Sequence, residues 1–267
     1  SIRQPNNWGG LPIHSLCDAR MDDEIATDIV KLLLEAHPDS VTVTVDGGEL
    51  PLHLAAYNKA PSFCKLLVDA YPESVKRGGG ADGSLPFHHA CNGGRPDTLE
   101  YLFKLYPECI NMRNHDGYLP IHETARYPGE NISKVIKFLL RHDPECLSKP
   151  VESEDRGGEF VQGNGAFTLH IMCSSWNQSV DRARLLFDLY PEAILIRNER
   201  EQLPIDVVRE KLGSVNRHNQ ERLKEVKKFL HIQMVYARQS QDQNAMRTPD
   251  SAGFLPLHNA LYTSAPL

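Results

Sequence analysis

A four-residue pattern, Leu-Pro-apolar-His, recurs along this chain and constrains its fold more than any other feature. The five full copies, followed by two degenerate ones, are Leu11–His14, Leu50–His53, Leu85–His88, Leu119–His122, Leu255–His258, Phe167–His170 and Leu203–Asp206. Three of the intervals between successive copies are 34 to 36 residues, and insertions account for the longer ones. A fixed period of this length indicates an array of similar units, each too small to bury its own apolar face.

A second pattern keeps the same interval and marks the end of a helix in each unit. Its five copies are "EAHPDSV", "DAYPESV", "KLYPECI", "RHDPECL" and "DLYPEAI". Each follows apolar residues at helical spacing, such as Leu99, Leu102 and Phe103. The proline disfavours helical backbone in the residue before it, so the helix should stop there. Each unit therefore contains a glycine-bearing turn, a short helix opened by proline, a loop and a second helix.

These units resemble the ankyrin-repeat family, whose period is about 33 residues and whose signature is Thr-Pro-Leu-His-x-Ala. The copy most similar to that signature is "NHDGYLPIHETA", residues 114–125. The resemblance implies an all-α fold: an ankyrin-like helical-repeat solenoid of helix-turn-helix units linked by short hairpin turns. We predict a single solenoid over residues 1–267 with repeats at 7–44, 45–79, 80–113, 114–163 with an insertion, 164–197 and 198–250, and a truncated seventh at 251–267.

One departure from the family signature is systematic. The family's Thr, which would cap the first helix, is Leu in most copies and Phe167 in another. Loss of a hydroxyl cap typically costs about 0.5 to 2 kcal/mol. We predict that the Leu side chain offsets this cost by packing between adjacent repeats. The seventh copy stops before its second helix, so we expect the chain to be a fragment or to be covered there by another domain.

The stretch "GSLPFHHAC" brings His88, His89 and Cys91 together, and these are residue types that bind zinc. The position of Cys91 holds Cys or Ala in most of the other copies, which favours a small buried side chain. The resemblance implies that His88 hydrogen-bonds the neighbouring turn, whereas His89 should point away from the core. We therefore predict no metal site, and zinc binding is the alternative.

Three further segments have a structural and a functional interpretation. Gly78, Gly80 and Gly83 satisfy G-x-G-x-x-G, but no alternating strand–helix pattern surrounds them, which favours a hairpin tip over a pyrophosphate site. The basic segment 209–238 is interpreted as an extended second helix of the sixth repeat; a surface for membranes, acidic partners or RNA is the alternative. The insertion at 148–164 is interpreted as a tolerated loop, with a partner-specific loop as the alternative.

Composition excludes several classes of function. With 29 basic and 35 acidic residues the formal charge is -6, which argues against a dedicated nucleic-acid binder. No apolar run approaches the roughly 18 to 20 residues of a membrane helix, so no membrane insertion is predicted. Six cysteines without a clustered framework and the lack of a signal peptide predict a cytoplasmic or nuclear protein. No catalytic motif is present, so we predict no enzyme activity, no catalytic residue and no cofactor.

The predicted function is that of a monomeric scaffold that binds a partner protein through the concave groove of the solenoid. The alternative is a regulatory or substrate-recruiting arm of a larger enzyme or channel whose functional domain lies outside this chain. The resemblance places contact residues just before the Leu-Pro-apolar-His pattern and shortly after its His. The candidate contacts are Glu49, Tyr57, Asn58, Asp82, Ser84, His89, Asn92, His115, Asp116, Tyr118, Arg126, Tyr127, Ser174, Ser175 and Trp176.

Overall fold

The fold was examined in a computed structural model, which describes residues 3–126, 131–152, 165–175, 179–215 and 217–247. Helices in these ranges form pairs, and the all-α prediction is confirmed. The first helices of the pairs are α1 (Pro12–Asp18), α3 (Pro51–Asn58), α5 (Pro86–Gly93), α7 (Pro120–Arg126), α9 (Thr168–Ser174) and α11 (Pro204–Leu212). The second helices are α2 (Asp23–Ala36), α4 (Pro61–Ala70), α6 (Pro96–Leu105), α8 (Ile132–His142), α10 (Val180–Leu189) and α12 (Arg217–Arg247).

The first helices begin where they do because two residues of the repeated pattern act together. In five of the six first helices described, proline occupies the first helical position, where its missing N–H would have had no partner; α9 begins at Thr168 instead. The preceding residue, such as Leu50, has extended backbone, and its N–H donates to Nδ1 of the His three residues later (3.0 Å to His53). The same bond is made to His14, His88, His122 and His170, and to the Oδ2 of Asp206.

The second helices end shortly before the proline of the other repeated pattern, as predicted. Tyr71, for example, precedes Pro72 and has non-helical backbone (φ -144°, ψ 84°). Short 3₁₀ turns follow and bury an apolar side chain each. These turns are Pro38–Thr42, Pro72–Lys76, Pro107–Asn111, Cys146–Ser148 and Pro191–Leu195.

One continuous apolar core runs through the pairs because first helices pack on first helices and second helices on second helices. A buried Leu precedes five of the six first helices described, and Leu85, Leu119 and Leu203, which lie in this core, expose 6%, 3% and 6% of their surface; the partly exposed Phe167 precedes α9. Their predicted burial is thus confirmed. It accounts for the family's Thr being dispensable here, since apolar burial contributes about 1.5 to 3 kcal/mol per Leu.

All six cysteines are free thiols and all are buried. Cys17, Cys91 and Cys173 occupy the position that Ala56 and Ala125 fill in other pairs, and each of the five exposes 1% or less. Burial raises the pKa of all six thiols, since an apolar surrounding disfavours the thiolate. The predicted role of these cysteines as small buried side chains is confirmed.

The carboxyl ends of α1, α7 and α9 are capped by a cationic side chain from the next pair. Lys59, which exposes only 1% of its surface, donates from Nζ to the Ala19 carbonyl beyond α1, and burial lowers its pKa. Arg182 donates from Nη2 to the Ala125 carbonyl at 2.6 Å, and Lys211 donates to the carbonyls of residues 174 and 175. Cations at these ends also complement the helix dipole, so the caps fix neighbouring first helices relative to each other.

Candidate partner-binding face

A tight hairpin turn precedes most of the first helices, and these turns form the edge of the candidate site. They are closed by backbone N–H···O bonds of 2.9 to 3.0 Å that join Asn6 to Gly10, Val45 to Glu49, Gly79 to Ser84, Asn114 to Tyr118 and Asn198 to Gln202. We call the surface made by these turns and the exposed residues of the first helices the hairpin face.

Two neighbouring pairs of hairpins are bonded to each other through their backbones, the first with the second and the third with the fourth. The N–H of His115 donates to the Asp82 carbonyl at 2.6 Å, and the N–H of Asp46 donates to the Trp8 carbonyl at 3.0 Å. Gly83 has a φ of +64°, and an added Cβ there would lie 2.4 Å from the His115 ring. The turns therefore stack without space for a side chain at this point.

Asparagine organises three of the hairpins through its side-chain oxygen. Oδ1 of Asn114 accepts from the N–H groups of Asp116 (3.2 Å) and Tyr118 (2.9 Å). Asn6 and Asn198 make the same two bonds within their own turns. The sequence prediction missed these residues, although their shared place in the repeat was the signal that could have revealed them.

A polar network links the third and fourth pairs beneath the hairpin face. Nδ2 of Asn114 lies 3.1 Å from Ser84 Oγ, 3.3 Å from Asp82 Oδ2 and 3.4 Å from Glu123 Oε1. Glu123, also missed by the sequence prediction, exposes only 4% of its surface. Its burial, together with the nearby Asp82 and Asp116 carboxylates, raises its pKa to about 7, while Arg126 at 3.8 Å opposes that rise.

The second and third pairs meet through Glu49 and His89. His89 Nε2 lies 3.6 Å from Glu49 Oε1, and the two side chains expose 19% and 26% of their surface. Burial lowers the pKa of His89 to about 4, so its ring is neutral at pH 7. Burial also raises the pKa of Glu49, and the carboxylates of Asp82 and Asp18 raise it further.

The predicted contact residues fall into three groups. Tyr57, His115 and Ser174 are exposed, and seven are partly exposed: Glu49, Asn58, Asp82, His89, Asn92, Asp116 and Arg126. Tyr127 and Trp176 lie outside the described residues. The third group, Ser84, Tyr118 and Ser175, is buried, with 4%, 8% and 3% of the surface exposed.

The three buried residues correct the prediction, because internal contacts occupy their side chains. Ser84 Oγ donates to Asp82 Oδ2 at 3.0 Å, and Ser175 Oγ donates to the Met172 carbonyl at 2.8 Å. The Tyr118 ring packs edge-on against His122, and the Arg126 guanidinium lies 5.2 Å from its centroid. We therefore leave Ser84, Tyr118 and Ser175 out of the candidate face.

The potential zinc ligands of the third pair are engaged elsewhere. His88 Nδ1 accepts from the Leu85 N–H at 3.2 Å, and Nε2 lies 3.1 Å from the Met112 carbonyl in the next turn, as predicted. The Cys91 thiol is 1% exposed, and burial raises its pKa. Within the described ranges, no three His, Cys, Asp or Glu side chains are placed to hold a metal ion.

The glycine-rich motif forms a hairpin tip, as predicted. Gly79 pairs with Ser84 in an isolated antiparallel bridge, and Gly80 and Gly83 have positive φ angles of 75° and 64°. A phosphate-binding loop would instead follow a strand of a parallel sheet.

The basic segment 209–238 extends across the end of α11 and most of α12. Leu223, Val226 and Leu230 are fully buried, whereas Lys224 and Lys228 are exposed. The predicted apolar stripe thus packs against the solenoid. No described helix combines the length and the apolar character that crossing a bilayer requires.

Two predicted features lie largely outside the described residues. Of the insertion at 148–164, residues 153–164 are not described, but the flanking residues pair: Val151 N–H donates to the Ala166 carbonyl and Gly165 N–H donates to the Val151 carbonyl, both at 2.9 Å. The truncated seventh repeat, residues 251–267, lies wholly outside.

Comparisons with known proteins agree with this geometry. Residues 52–150 match the sequence model of the family described as ankyrin repeats, in three copies. The fold is similar to the crystal structure of the human ASB11 ankyrin repeat domain, with a TM-score of 0.52 and 15% sequence identity over 87% of each chain. No curated protein matches the sequence. At this identity the structural likeness concerns the fold alone.

Proposed function

We propose that this chain, whose residues 52–150 match the ankyrin-repeat family, is a scaffold whose partner protein binds along the hairpin face, in the concave groove of the stack. Ankyrin repeats are generally protein–protein interaction modules, and their fold is typically non-catalytic. We propose in addition that the six helix pairs are six repeats with the boundaries given above and that residues 251–267 begin a seventh. The six free thiols support our proposal that the protein is located in a reducing compartment, the cytoplasm or the nucleus.

The observation that carries the choice of face is its hydrogen-bonded backbone combined with exposed polar and aromatic side chains. Five hairpins are closed by their own backbone bonds and two neighbouring pairs of them are also bonded to each other, so a partner that binds there should order little backbone and lose little entropy. Tyr57 (37% exposed), His115 and Arg126 project from this frame. Tyr and Arg are enriched among the residues that dominate binding energies.

Site-specific photo-crosslinking tests the proposal. A benzophenone amino acid placed at Tyr57 or Asn92 on the hairpin face should capture a partner polypeptide in cells. The same group at Glu100 or Lys104, exposed on α6, serves as the control. Equal capture from both sets of positions would contradict the proposal.

The captured protein, once identified and purified, provides the second measurement. Tyr57→Ala and His115→Ala should each weaken its binding about tenfold, since contacts that dominate an interface cost more than about 1 kcal/mol when truncated. Leu105→Ala, at a residue 44% exposed on α6, should change binding less than about twofold. A partner whose affinity depends on Leu105 instead of Tyr57 and His115 would place the interface on the second helices.

A further inference from the structure

Three carboxylates of the hairpin face, those of Glu49, Asp82 and Asp116, have no Lys or Arg partner within the described chain. On the second helices, Asp69 pairs with Lys65 at 2.6 Å and Glu100 pairs with Lys104 at 2.8 Å. Among the described residues, Glu49 has only the neutral His89 within ion-pair distance. Within the same ranges, neither Asp82 nor Asp116 forms an ion pair with a Lys or an Arg.

These carboxylates lie close enough to repel one another. Asp82 and Asp18 raise the pKa of Glu49, and Asp82 and Asp116 raise the pKa of Glu123, in each case after the larger effect of burial. Arg126 approaches Glu123 at 3.8 Å, and its positive charge opposes the rise in the pKa of Glu123. Like charges without compensation lower the stability of the free protein, so their placement calls for a ligand that neutralises them.

A second, independent observation points to a ligand that donates hydrogen bonds. Asn58 Oδ1, His89 Nε2 and Asn92 Oδ1 are buried and have no hydrogen-bond partner within the described chain. His89 Nε2 faces Glu49 Oε1 at 3.6 Å. An unsatisfied buried polar group costs about 1 to 3 kcal/mol, and such groups are rare in folded proteins.

These atoms belong to one patch, which spans the ends of α3 and α5. Asn58 Nδ2 donates to the Asp18 carbonyl at 3.0 Å, which places Asn58 beside the acidic end of α1. An added Cβ on Gly93 would lie 1.8 Å from the Tyr57 carbonyl oxygen, so the chain at Asn92 runs against the chain at Asn58. Rotation of an Asn side-chain amide by half a turn exchanges its oxygen with its NH₂ group. The bond from Asn58 Nδ2 to the Asp18 carbonyl fixes the orientation of the Asn58 amide, with Oδ1 as the atom that has no partner.

Carboxylate and amide oxygens accept hydrogen bonds and the neutral His89 ring adds no positive charge, so the complementary ligand is a cation with several donors. Guanidinium has five N–H donors in one plane, keeps its charge at any physiological pH and packs well on aromatic rings. The exposed ring of Tyr57 is available next to the patch for such stacking.

We propose that the hairpin face binds a basic, arginine-bearing segment of its partner protein through an acceptor site formed by Glu49, Asn58, Asp82, His89 and Asn92. This inference rests on the proposed function and names the chemistry of the partner. Asp116 continues the acidic line into the next pair. Adjacent helix layers are about 10 Å apart. An extended chain rises about 3.3 Å per residue, so arginines three residues apart match successive layers.

A peptide-binding assay tests this inference on the full 267-residue chain. The probe is a short fluorescein-labelled Gly/Ser peptide with arginine at every third position, and its binding is followed by fluorescence anisotropy. The comparison peptide carries citrulline, which keeps the shape of arginine without its charge. The arginine peptide should bind at least about tenfold more tightly, as expected for charge-assisted bonds. Equal binding of both peptides would overturn the inference.

Two matched double variants separate a local site from attraction by net charge. Glu49→Gln with Asp82→Asn should weaken binding of the arginine peptide about tenfold, because both neutralised groups face the guanidinium. Asp69→Asn with Glu100→Gln removes the same charge from the second helices and should change binding less than about twofold. Equal weakening by both pairs would show attraction by overall charge only, and the acceptor site would be refuted.

A stability measurement excludes a trivial loss of binding through unfolding. Asp82 Oδ1 accepts from the Ser84 N–H at 3.2 Å, and an Asn oxygen at this position makes the same bond. Glu49→Gln with Asp82→Asn removes like-charge repulsion but also the acceptor that Asp82 Oδ2 offers to Ser84 Oγ and Asn114 Nδ2, so its melting temperature should stay well above the assay temperature without exceeding that of Glu49→Gln alone. The single Glu49→Gln variant gives a second measure and should weaken peptide binding at least threefold, an order-of-magnitude expectation for one charge pair.

The two proposals fail separately. If crosslinking at positions 57 and 92 captures a partner but the arginine peptide binds no better than the citrulline peptide, the hairpin face binds its partner through other chemistry. If the arginine peptide binds as expected while crosslinks form only from α6, the acceptor site stands and the partner-binding face was assigned wrongly.

Discussion

At the scale of single residues, the histidine of the repeated pattern forms two hydrogen bonds that require one tautomer. Nδ1 accepts the N–H of the residue before the helix, so the ring proton sits on Nε2. Nε2 then donates to a backbone carbonyl of the following turn. The five acceptors, at 2.8 to 3.1 Å, are the carbonyls of Val43, Arg77, Met112, Lys149 and Gln202.

The backbone at the start of these helices also explains why a Leu is tolerated where the family has a capping Thr. The N–H that a Thr hydroxyl would bind, that of the third helical residue, donates instead to the Leu carbonyl, as from His122 to Leu119 at 2.9 Å, and the Leu side chain is free to pack in the core. In the last described pair Asp206 replaces the His and keeps the first bond through Oδ2 at 3.1 Å. Sequence reasoning could place the ring near the next turn but could not assign its tautomer.

A residue-scale prediction concerns Glu201, the one described non-glycine residue with positive φ (58°). Four other hairpins have glycine at the corresponding place: Gly9, Gly48, Gly83 and Gly117. A left-handed conformation costs a non-glycine residue roughly 1 kcal/mol. Glu201→Gly should therefore raise the free energy of unfolding by about 0.5 to 1 kcal/mol in urea titrations.

The control for Glu201→Gly is Glu199→Gly in the same exposed turn. That change makes the unfolded chain more flexible without relieving strain, so stability should fall by a few tenths of a kcal/mol. The Glu201 side chain is 83% exposed, and its ion pair with Arg197 is long, at 3.9 Å, so removing the side chain should cost little stability. A loss of stability in Glu201→Gly would show that the turn prefers the side chain.

At the scale of elements, the helices could be predicted and the face they present could be predicted only in part. Proline and the repeat period mark helix starts and ends because both act through local backbone geometry. Ser84 is buried, against its prediction as a contact residue, because its surroundings depend on the neighbouring unit: Asn114 reaches Ser84 Oγ from the next hairpin. A repeat period gives a residue's place in its own unit but not the side chain opposite it in the next unit.

Contact between first helices gives the element-scale prediction. Gly93 ends α5, and an added Cβ would lie 1.8 Å from the Tyr57 carbonyl oxygen and 2.7 Å from its carbonyl carbon. These backbone atoms belong to α3 and cannot move without shifting that helix. Gly93→Ala should therefore lower the free energy of unfolding by about 2 to 3 kcal/mol or more, measured by urea denaturation.

Gly213, just beyond α11, provides a matched control for Gly93→Ala. Its φ is -76°, and an added Cβ would approach only the Glu210 carbonyl oxygen, at 3.7 Å. Gly213→Ala should leave stability unchanged or raise it by up to about 1 kcal/mol. If both substitutions had the same effect, close packing of α3 on α5 would not be what holds these pairs together.

At the scale of the whole molecule, the sequence revealed the stack but not how charge is distributed over it. With 35 acidic and 29 basic residues some carboxylates must lack a cation, but the sequence does not say which ones. The structure leaves Glu49, Asp82 and Asp116 without a Lys or Arg partner within the described chain, whereas Glu100 pairs with Lys104 on a second helix. Pairing one helical turn apart is local and visible in sequence, whereas the convergence of three hairpins requires the assembled stack.

The stack also makes the stability of the whole molecule depend on pH. Burial lowers the pKa of His53, His88 and His170 to about 4 and that of His122 to about 3, because the core disfavours a charged ring. Their unfolded pKa is about 6.5, so between pH 6.5 and 4 the unfolded chain binds more protons than the folded one. The free energy of unfolding should therefore fall as the pH falls through this window, by up to about 1.4 kcal/mol per pH unit for each histidine.

Urea denaturation at pH 7, 6 and 5, followed by circular dichroism, measures how the free energy of unfolding depends on pH. One buried carboxyl group, that of Glu123, opposes the effect of the histidines. Glu123 has a raised pKa, about 7, and its contribution to stability has the opposite sign over the same window, which offsets about one histidine. His122→Gln keeps an acceptor for the Leu119 N–H but removes one titrating ring, so it should flatten the slope by about 1.4 kcal/mol per pH unit. His231→Gln, at an exposed position on α12, should leave the slope unchanged. A free energy of unfolding that stays constant from pH 7 to 5 would mean that the buried rings do not have to remain neutral, and the two-bond arrangement at each first helix would be wrong.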